Sequence, residues 1–144
     1  MSRAHDLAWC AGFFDGEGYI TIQRRKSTVN GKIYEGHYLR IGVNHVAIEP
    51  LKELKRVLGG TIKQQTEHTV IGNRKQRHSW QMSTKEAAQT LISLMPYFRN
   101  KNQVAALALD FQKTISENKQ TLSPEVVQLR EQFKQEITSL NAKD

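Results

Sequence analysis

The chain has little of what secreted, membrane-spanning or disulfide-stapled proteins depend on. It carries one cysteine, Cys10, in 144 residues, so no internal disulfide can form and a reducing intracellular setting is expected. No stretch approaches the roughly 18 consecutive apolar residues of a membrane span. Nor does any amphipathic segment pair a strongly basic face with exposed aromatics, so no membrane partner is expected. Met1-Ser2-Arg3-Ala4-His5-Asp6 lacks an apolar signal core, so the protein is expected to work where it is made and not to be secreted. The three prolines, Pro50, Pro96 and Pro124, each fall where a helix starts or stops. Acidic residues are few: 14 Asp plus Glu against 21 Lys plus Arg give a formal charge of +7. The basic residues gather at Arg24-Arg25-Lys26 and Arg74-Lys75-Gln76-Arg77. Such an excess suits a polyanionic partner held through counterion release, and nucleic acid is the commonest. Internal repeats are absent, and the length fits a single domain over 1–144, with a core over about 5–117 and a C-terminal helix over about 124–141.

What the chain does have is concentrated in Trp9-Cys10-Ala11-Gly12-Phe13-Phe14-Asp15-Gly16-Glu17-Gly18. Asp6 is a suitable N-cap for a helix from about Leu7 to Asp15, with Gly16 and Gly18 at its end. Ala8, Gly12 and Gly16 recur at one-turn spacing and form a groove where a second helix can approach almost to backbone contact. Phe13 and Phe14 flank that groove and anchor the helix in a core, where Cys10 is not expected to act as a nucleophile. Tyr19-Ile20-Thr21-Ile22-Gln23 then alternates as a strand, so Glu17 sits where a tightly packed helix gives way to a sheet.

The turn signal Asn30-Gly31 joins this strand to a return strand, roughly Ile33 to His45, as a hairpin. A helix over Glu49–Leu58 follows, with Pro50 in its first turn, an apolar stripe of Leu51, Leu54, Val57 and Leu58, and a stop at Gly59-Gly60. Two more strands are expected over Thr61–Thr69 and Arg77–Ser83. Thr84 is placed as the cap of a third helix that buries Ala88, Leu91, Ile92 and Met95 and halts at Pro96. Helices over Asn102–Asn118 and from Ser123-Pro124-Glu125 to about Leu140 complete the chain, without obvious chemistry. The order is αββαββα with C-terminal helices: an α+β domain whose four-stranded antiparallel sheet is covered on one face.

Alternation places Ile20, Ile22, Leu39, Ile41, Val43, Ile62, Trp80 and Met82 on the covered face. The other face carries Tyr19, Thr21, Gln23, Arg25, Tyr38, Arg40, Asn44, Lys63, Gln65, Arg77, Ser79 and Gln81. A two-stranded ribbon fits the DNA major groove, and Arg25, Arg40, Arg77, Gln23, Gln65 and Gln81 have the donors and acceptors that discriminate base edges. Lys26, Lys32, Arg74 and Lys75 fall in expected turns, suited to phosphates or solvent. A polar sheet face that merely meets water is the plain alternative.

The segment Cys10-Ala11-Gly12-Phe13-Phe14-Asp15-Gly16-Glu17-Gly18 resembles the signature of the LAGLIDADG homing endonucleases, often seen as LAGFVDGEG, departing only in Cys10 at the leading Leu position. That resemblance implies a helix pair on a symmetry axis, with Glu17 binding a divalent metal at the scissile phosphates of double-stranded DNA. It implies Mg2+, with Mn2+ as a potential substitute, and leaves Asp15 to cap or orient the helix end. Pro96-Tyr97-Phe98-Arg99-Asn100-Lys101-Asn102 resembles the stretch in which the family places a lysine near the water-activating pocket, here Lys101. At the end of the second strand the family often has a polar residue that holds solvent, and His45 or Asn44 falls there; Ala47 and Glu49 lack the basic residue that some members add. Because only one copy of the motif is present, cutting two strands implies a homodimer meeting through Ala8, Gly12 and Gly16. The resemblance thus implies a site-specific endonuclease leaving staggered ends at a long pseudo-palindromic site, inside a bacterial or phage-infected cytoplasm or an organelle. The alternatives are an intron-encoded maturase acting on RNA, a non-cleaving DNA-binding regulator on the same scaffold, and an unrelated basic domain with an incidental Asp-Gly-Glu-Gly turn.

Overall fold

Ser2, not Asp6, starts the first helix. In the computed structural model, which describes residues 2–65, 77–117 and 123–142, α1 spans Arg3–Glu17 and the Ser2 hydroxyl accepts from the His5 amide at 3.2 Å. Asp6 lies inside the first turn, where a carboxylate complements the helix dipole, and pairs with Arg56 at 3.2 Å. The helix also continues past Asp15 to Glu17, and the Gly18 amide donates to the Phe14 carbonyl as the chain turns directly into a strand. One side of α1 is core: Cys10, Ala11 and Phe14 are fully buried, and the Phe14 ring meets Trp80 edge-on and stacks on Phe98. Burial pushes the Cys10 thiol up to about 11, so it packs as a small apolar group.

Strands β1 (Gly18–Val29) and β2 (Lys32–His45) form the expected hairpin, with Asn30 and Gly31 at φ 53° and 78°, the double positive-φ turn that matches strand twist. Both strands outrun the expectation: Arg24 to Val29 lack alternation, yet their pairing continues unbroken to Val29↔Lys32, so Lys26 and Lys32 lie in strands and not in a turn. Helix α2 (Glu49–Leu58) buries Leu51 and Leu54 and ends at Gly59 and Gly60, both at positive φ, where the Trp80 indole donates to the Gly59 carbonyl at 2.8 Å. Strands β3 (Thr61–Gln65) and β4 (Arg77–Ser83) complete an antiparallel sheet of order β1-β2-β4-β3. The remainder of the expected third strand, with Arg74 and Lys75, lies outside the described residues.

Helix α3 (Thr84–Leu94) departs from expectation in two ways. Ser83 holds the cap position without a side-chain bond, and Thr84 absorbs the abrupt strand-to-helix reversal at φ 58°. Its buried face is Ala87, Ala88, Thr90, Leu91 and Leu94, which rotates Ile92 outward to 59% exposure and leaves Met95 half-buried in the 3-10 turn Met95–Tyr97. Helix α4 (Asn102–Glu117) buries Val104, Ala105, Ala108 and Phe111. The class is therefore α+β, with helices on one sheet face as expected. Among the described residues, no helix is long and apolar enough to cross a membrane.

Helix α5 (Pro124–Ala142) is more than a tail. It packs on α4 through Ile137 and the Phe133–Phe111 ring contact, while Asn141 donates to the Ile20 carbonyl of β1 at 3.0 Å. Glu131 accepts from Arg24 through both Nε, at 3.1 Å, and Nη2, and it meets His37 Nε2 at 2.8 Å. The Arg24 and His37 contacts hold its carboxyl down at about 2, well below the usual carboxylate range.

Gly42 is the tightest point in the sheet. An added Cβ would lie 2.6 Å from both the Trp80 carbonyl oxygen and the Tyr19 hydroxyl, and the first of these is backbone. Gly42→Ala is therefore expected to destabilise the fold by about 1–3 kcal/mol, read as a lower chemical-denaturation midpoint with an unchanged slope.

Candidate active site and sheet interface

The strand register gathers the polar residues into rows. Lys63, Ser79 and Asn44 lie side by side, then Thr61, Gln81, Gly42 and Tyr19, then Ser83, Arg40 and Thr21, then Tyr38 with Gln23, and last Gly36 with Arg25. The expected polar face is thus assembled from both hairpins. A groove of about 290 Å3 on it is lined by Arg25, Tyr38, Arg40, Lys63, Gln81 and Glu86, among others. Arg25 lies over the Tyr38 ring, 5.1 Å from its centroid, which holds the guanidinium by cation–π attraction. Ser79 is the exception on this face: its short side chain lies on a central strand between Asn44 and Lys63 and is only 4% exposed, too deep to meet a ligand first. Arg77 is exposed and pairs through its backbone with Gln65, whose side chain lies outside the described residues.

At the far end of α1 the two carboxylates take different roles. Asp15 accepts from three successive backbone amides, Arg99 at 2.7 Å, Asn100 at 2.9 Å and Lys101 at 2.8 Å. These amides belong to the loop that leads into α4, so Asp15 ties that loop to the end of α1 and does not cap its own helix. Glu17, last in α1, is exposed and makes no hydrogen bond or ion pair among the described residues. Asp15 therefore brings the half-buried Lys101 to the end of α1 that carries Glu17. The contact is through the Lys101 backbone, so it fixes the chain at position 101 near the end of α1, where the exposed Glu17 carboxylate lies.

His45 and Asn44, both open as candidates, are separated by the pleat. Asn44 faces the polar sheet surface opposite Ser79. The His45 ring packs edge-on against Phe13, centroids 5.6 Å apart, and Phe13 sits one turn before Glu17 on α1. His45 Nδ1 accepts from the Ala47 amide at 2.9 Å, so in the neutral ring Nε2 carries the proton and offers it as a donor. Among the described residues no group of three or more His, Cys, Asp and Glu is arranged to hold a metal ion.

The opposite side of α1 is left open among the described residues. Ala8, Gly12 and Gly16 are exposed, a Cβ added at Gly12 or Gly16 finds no atom within 4 Å, and the adjacent Trp9 is 46% exposed. The helix therefore carries two packing faces, of which the chain itself covers one.

The fold thus joins a basic, hydrogen-bonding sheet face to a helix end that carries an exposed carboxylate. The chain belongs to the LAGLIDADG endonuclease family, whose model it matches over residues 10–118. Among solved structures, it is similar to the homing endonuclease I-CvuI in complex with I-CreI target DNA in the presence of 2 mM Mg, with the DNA not cleaved. There the TM-score is 0.76 at 21% identity, covering 96% of this chain and 83% of that one. It is also similar to the archaeal intron-encoded homing endonuclease I-Vdi141I complexed with DNA, at TM-score 0.73 and 13% identity over 96% and 86% of the two chains. Similarity to the meganuclease I-SmaMI bound to uncleavable DNA, at TM-score 0.69 and 18% identity, covers 89% of this chain but 42% of that one. No curated protein sequence matches significantly.

Asp15→Asn keeps the shape of the side chain but removes the charge that strengthens its three amide contacts. The variant is expected to lose about 1–3 kcal/mol of stability, and amide hydrogen exchange should quicken at Arg99, Asn100 and Lys101 before it does in β2.

Proposed function

We propose that two copies of this chain form a Mg2+-dependent, site-specific DNA endonuclease of the homing type, with the whole chain acting as one endonuclease domain on host DNA inside the cell. The observation that carries this reading is the two-sided α1. One end presents an unpartnered Glu17 with Lys101 tied alongside by Asp15, and one face presents exposed Ala8, Gly12 and Gly16. Helices that approach through glycine bring their ends close, so pairing α1 with its copy sets two Glu17 carboxylates near a common axis.

The residues suit a hard divalent cation. Magnesium keeps several waters and is usually held by one or two carboxylates plus phosphate oxygens, so one Glu17 per chain is a sufficient protein contribution. When bound, such an ion supplies a more acidic water and offsets charge on the phosphoryl and leaving oxygens. Glu17 would hold it, Lys101 would lower the negative charge around the reacting phosphate, and the His45 Nε2–H would orient solvent beneath Glu17. The solved neighbours include DNA complexes prepared with Mg and with Ca. On the sheet, Tyr19, Thr21, Gln23, Arg25, Tyr38, Arg40, Asn44, Lys63, Gln65, Arg77 and Gln81 form the reading surface, with Ser79 beneath it. The net charge of +7 supports binding to a duplex.

Cleavage of a randomised duplex library in Mg2+, with sequencing of the ends, tests the reading; paired staggered ends around a pseudo-palindrome are expected, and an uncut library would overturn it. Glu17→Gln should abolish cutting while gel-shift binding persists, and undiminished cutting would remove Glu17 from the site. A Cβ added at Gly12 meets no atom within 4 Å, so Gly12→Leu should keep a native circular-dichroism spectrum and a cooperative unfolding transition. Sedimentation should nonetheless show the variant as a single chain without cleavage activity.

A further inference from the structure

The outer half of the β1–β2 ribbon projects beyond the rest of the sheet. β2 pairs with β4 only from Arg40 to His45, so from Leu39 to the Asn30-Gly31 turn the ribbon has just its two strands. An isolated pair of strands is marginal in water. Yet this is the part that carries Gln23, Arg25 and Tyr38 on the polar face. On the reverse face the apolar ladder ends with Ile22↔Leu39, and the next pair is Arg24↔His37. Glu131 of α5 meets both members of that pair, Arg24 through two nitrogens and His37 at 2.8 Å, while the His37 side chain is 4% exposed. A buried imidazole requires such a partner, and a forked guanidinium contact fixes direction as well as distance. Helix α5 is itself registered on the base of the ribbon by Asn141 on the Ile20 carbonyl and by the buried Ile137.

We propose that Glu131 is a positioning residue for base recognition: it clamps the two strands across Arg24 and His37 and so sets the geometry in which Gln23, Arg25 and Tyr38 meet DNA. Side chains alternate along a strand, so holding Arg24 and His37 from behind orients Gln23, Arg25 and Tyr38 in front. The inference rests on the reading of the sheet as the DNA interface. It makes the C-terminal helix a determinant of which base pairs are read.

The test compares the wild-type chain, Glu131→Gln and Glu136→Gln on the duplex recovered from the library and on its single-base-pair variants. Glu136 is exposed on the same helix, so Glu136→Gln makes the same charge change without touching the ribbon. For Glu131→Gln the DNA concentration for half-maximal cleavage should rise about tenfold, the loss of roughly one charge-assisted contact, with the effect on KM and not on the rate at saturation. Discrimination should flatten only at the base pairs that Gln23→Ala and Arg25→Ala also relax, and exchange of amides 24–38 should quicken. Arg24→Lys, which keeps the charge but not the fork, should relax the same positions and serves if Glu131→Gln fails to fold. Unchanged preference at those positions, or a loss spread evenly over the site or shared by Glu136→Gln, overturns the proposal. Failure of the wild-type chain to bind any duplex instead overturns the functional reading beneath it.

Discussion

The Asp15 carboxylate, holding the amides of Arg99, Asn100 and Lys101, is the interaction on which the arrangement of the site depends. Without it, the loop at residues 99–101 would lose the carboxylate that anchors its three amides to the end of α1. A carboxylate that accepts several amides is among the stronger polar contacts available, because the charge is fully met and the donors are otherwise unpaired. Asp15 therefore acts on the fold, while Glu17, two residues on, stays exposed and makes no polar contact among the described residues. The division of labour follows from helix geometry: residues two apart point to well-separated sides of the helix.

The same two-sidedness recurs in the sheet. Trp80, Ile41 and Leu39 bind one face to the helices, so the other face is free to be polar without loss of stability. Gly42 lets the two faces coexist at close quarters, since Tyr19 lies where any side chain at position 42 would stand. Where the apolar layer ends, at Arg24 and His37, an ion-paired contact from α5 takes over its role.

Local patterns in the chain made much of this legible. The glycine spacing of α1, the Asn30-Gly31 turn and the alternation through Ile20, Ile22, Leu39 and Ile41 each express an element in its own residues. The limits came from competition and from distance. Ser2 and Asp6 are both good caps, and their preferences differ too little to choose between them from sequence. Strand alternation fades after Gln23, yet pairing persists because β2 supplies the partner. Ile92 reads as core by its spacing, but the small Ala87 and Ala88 allow α3 to settle in another rotation. Asp15 meets residues 84 to 86 positions away and Glu131 meets Arg24 across 107, and no local signal foretells such contacts.

The uncovered glycine face of α1 has a consequence for dosage. In the proposed assembly the reactive centre is divided between two molecules, so at low abundance the population of cutting pairs grows with roughly the square of the number of chains. Halving the number of chains in that range would cut the number of competent pairs about fourfold.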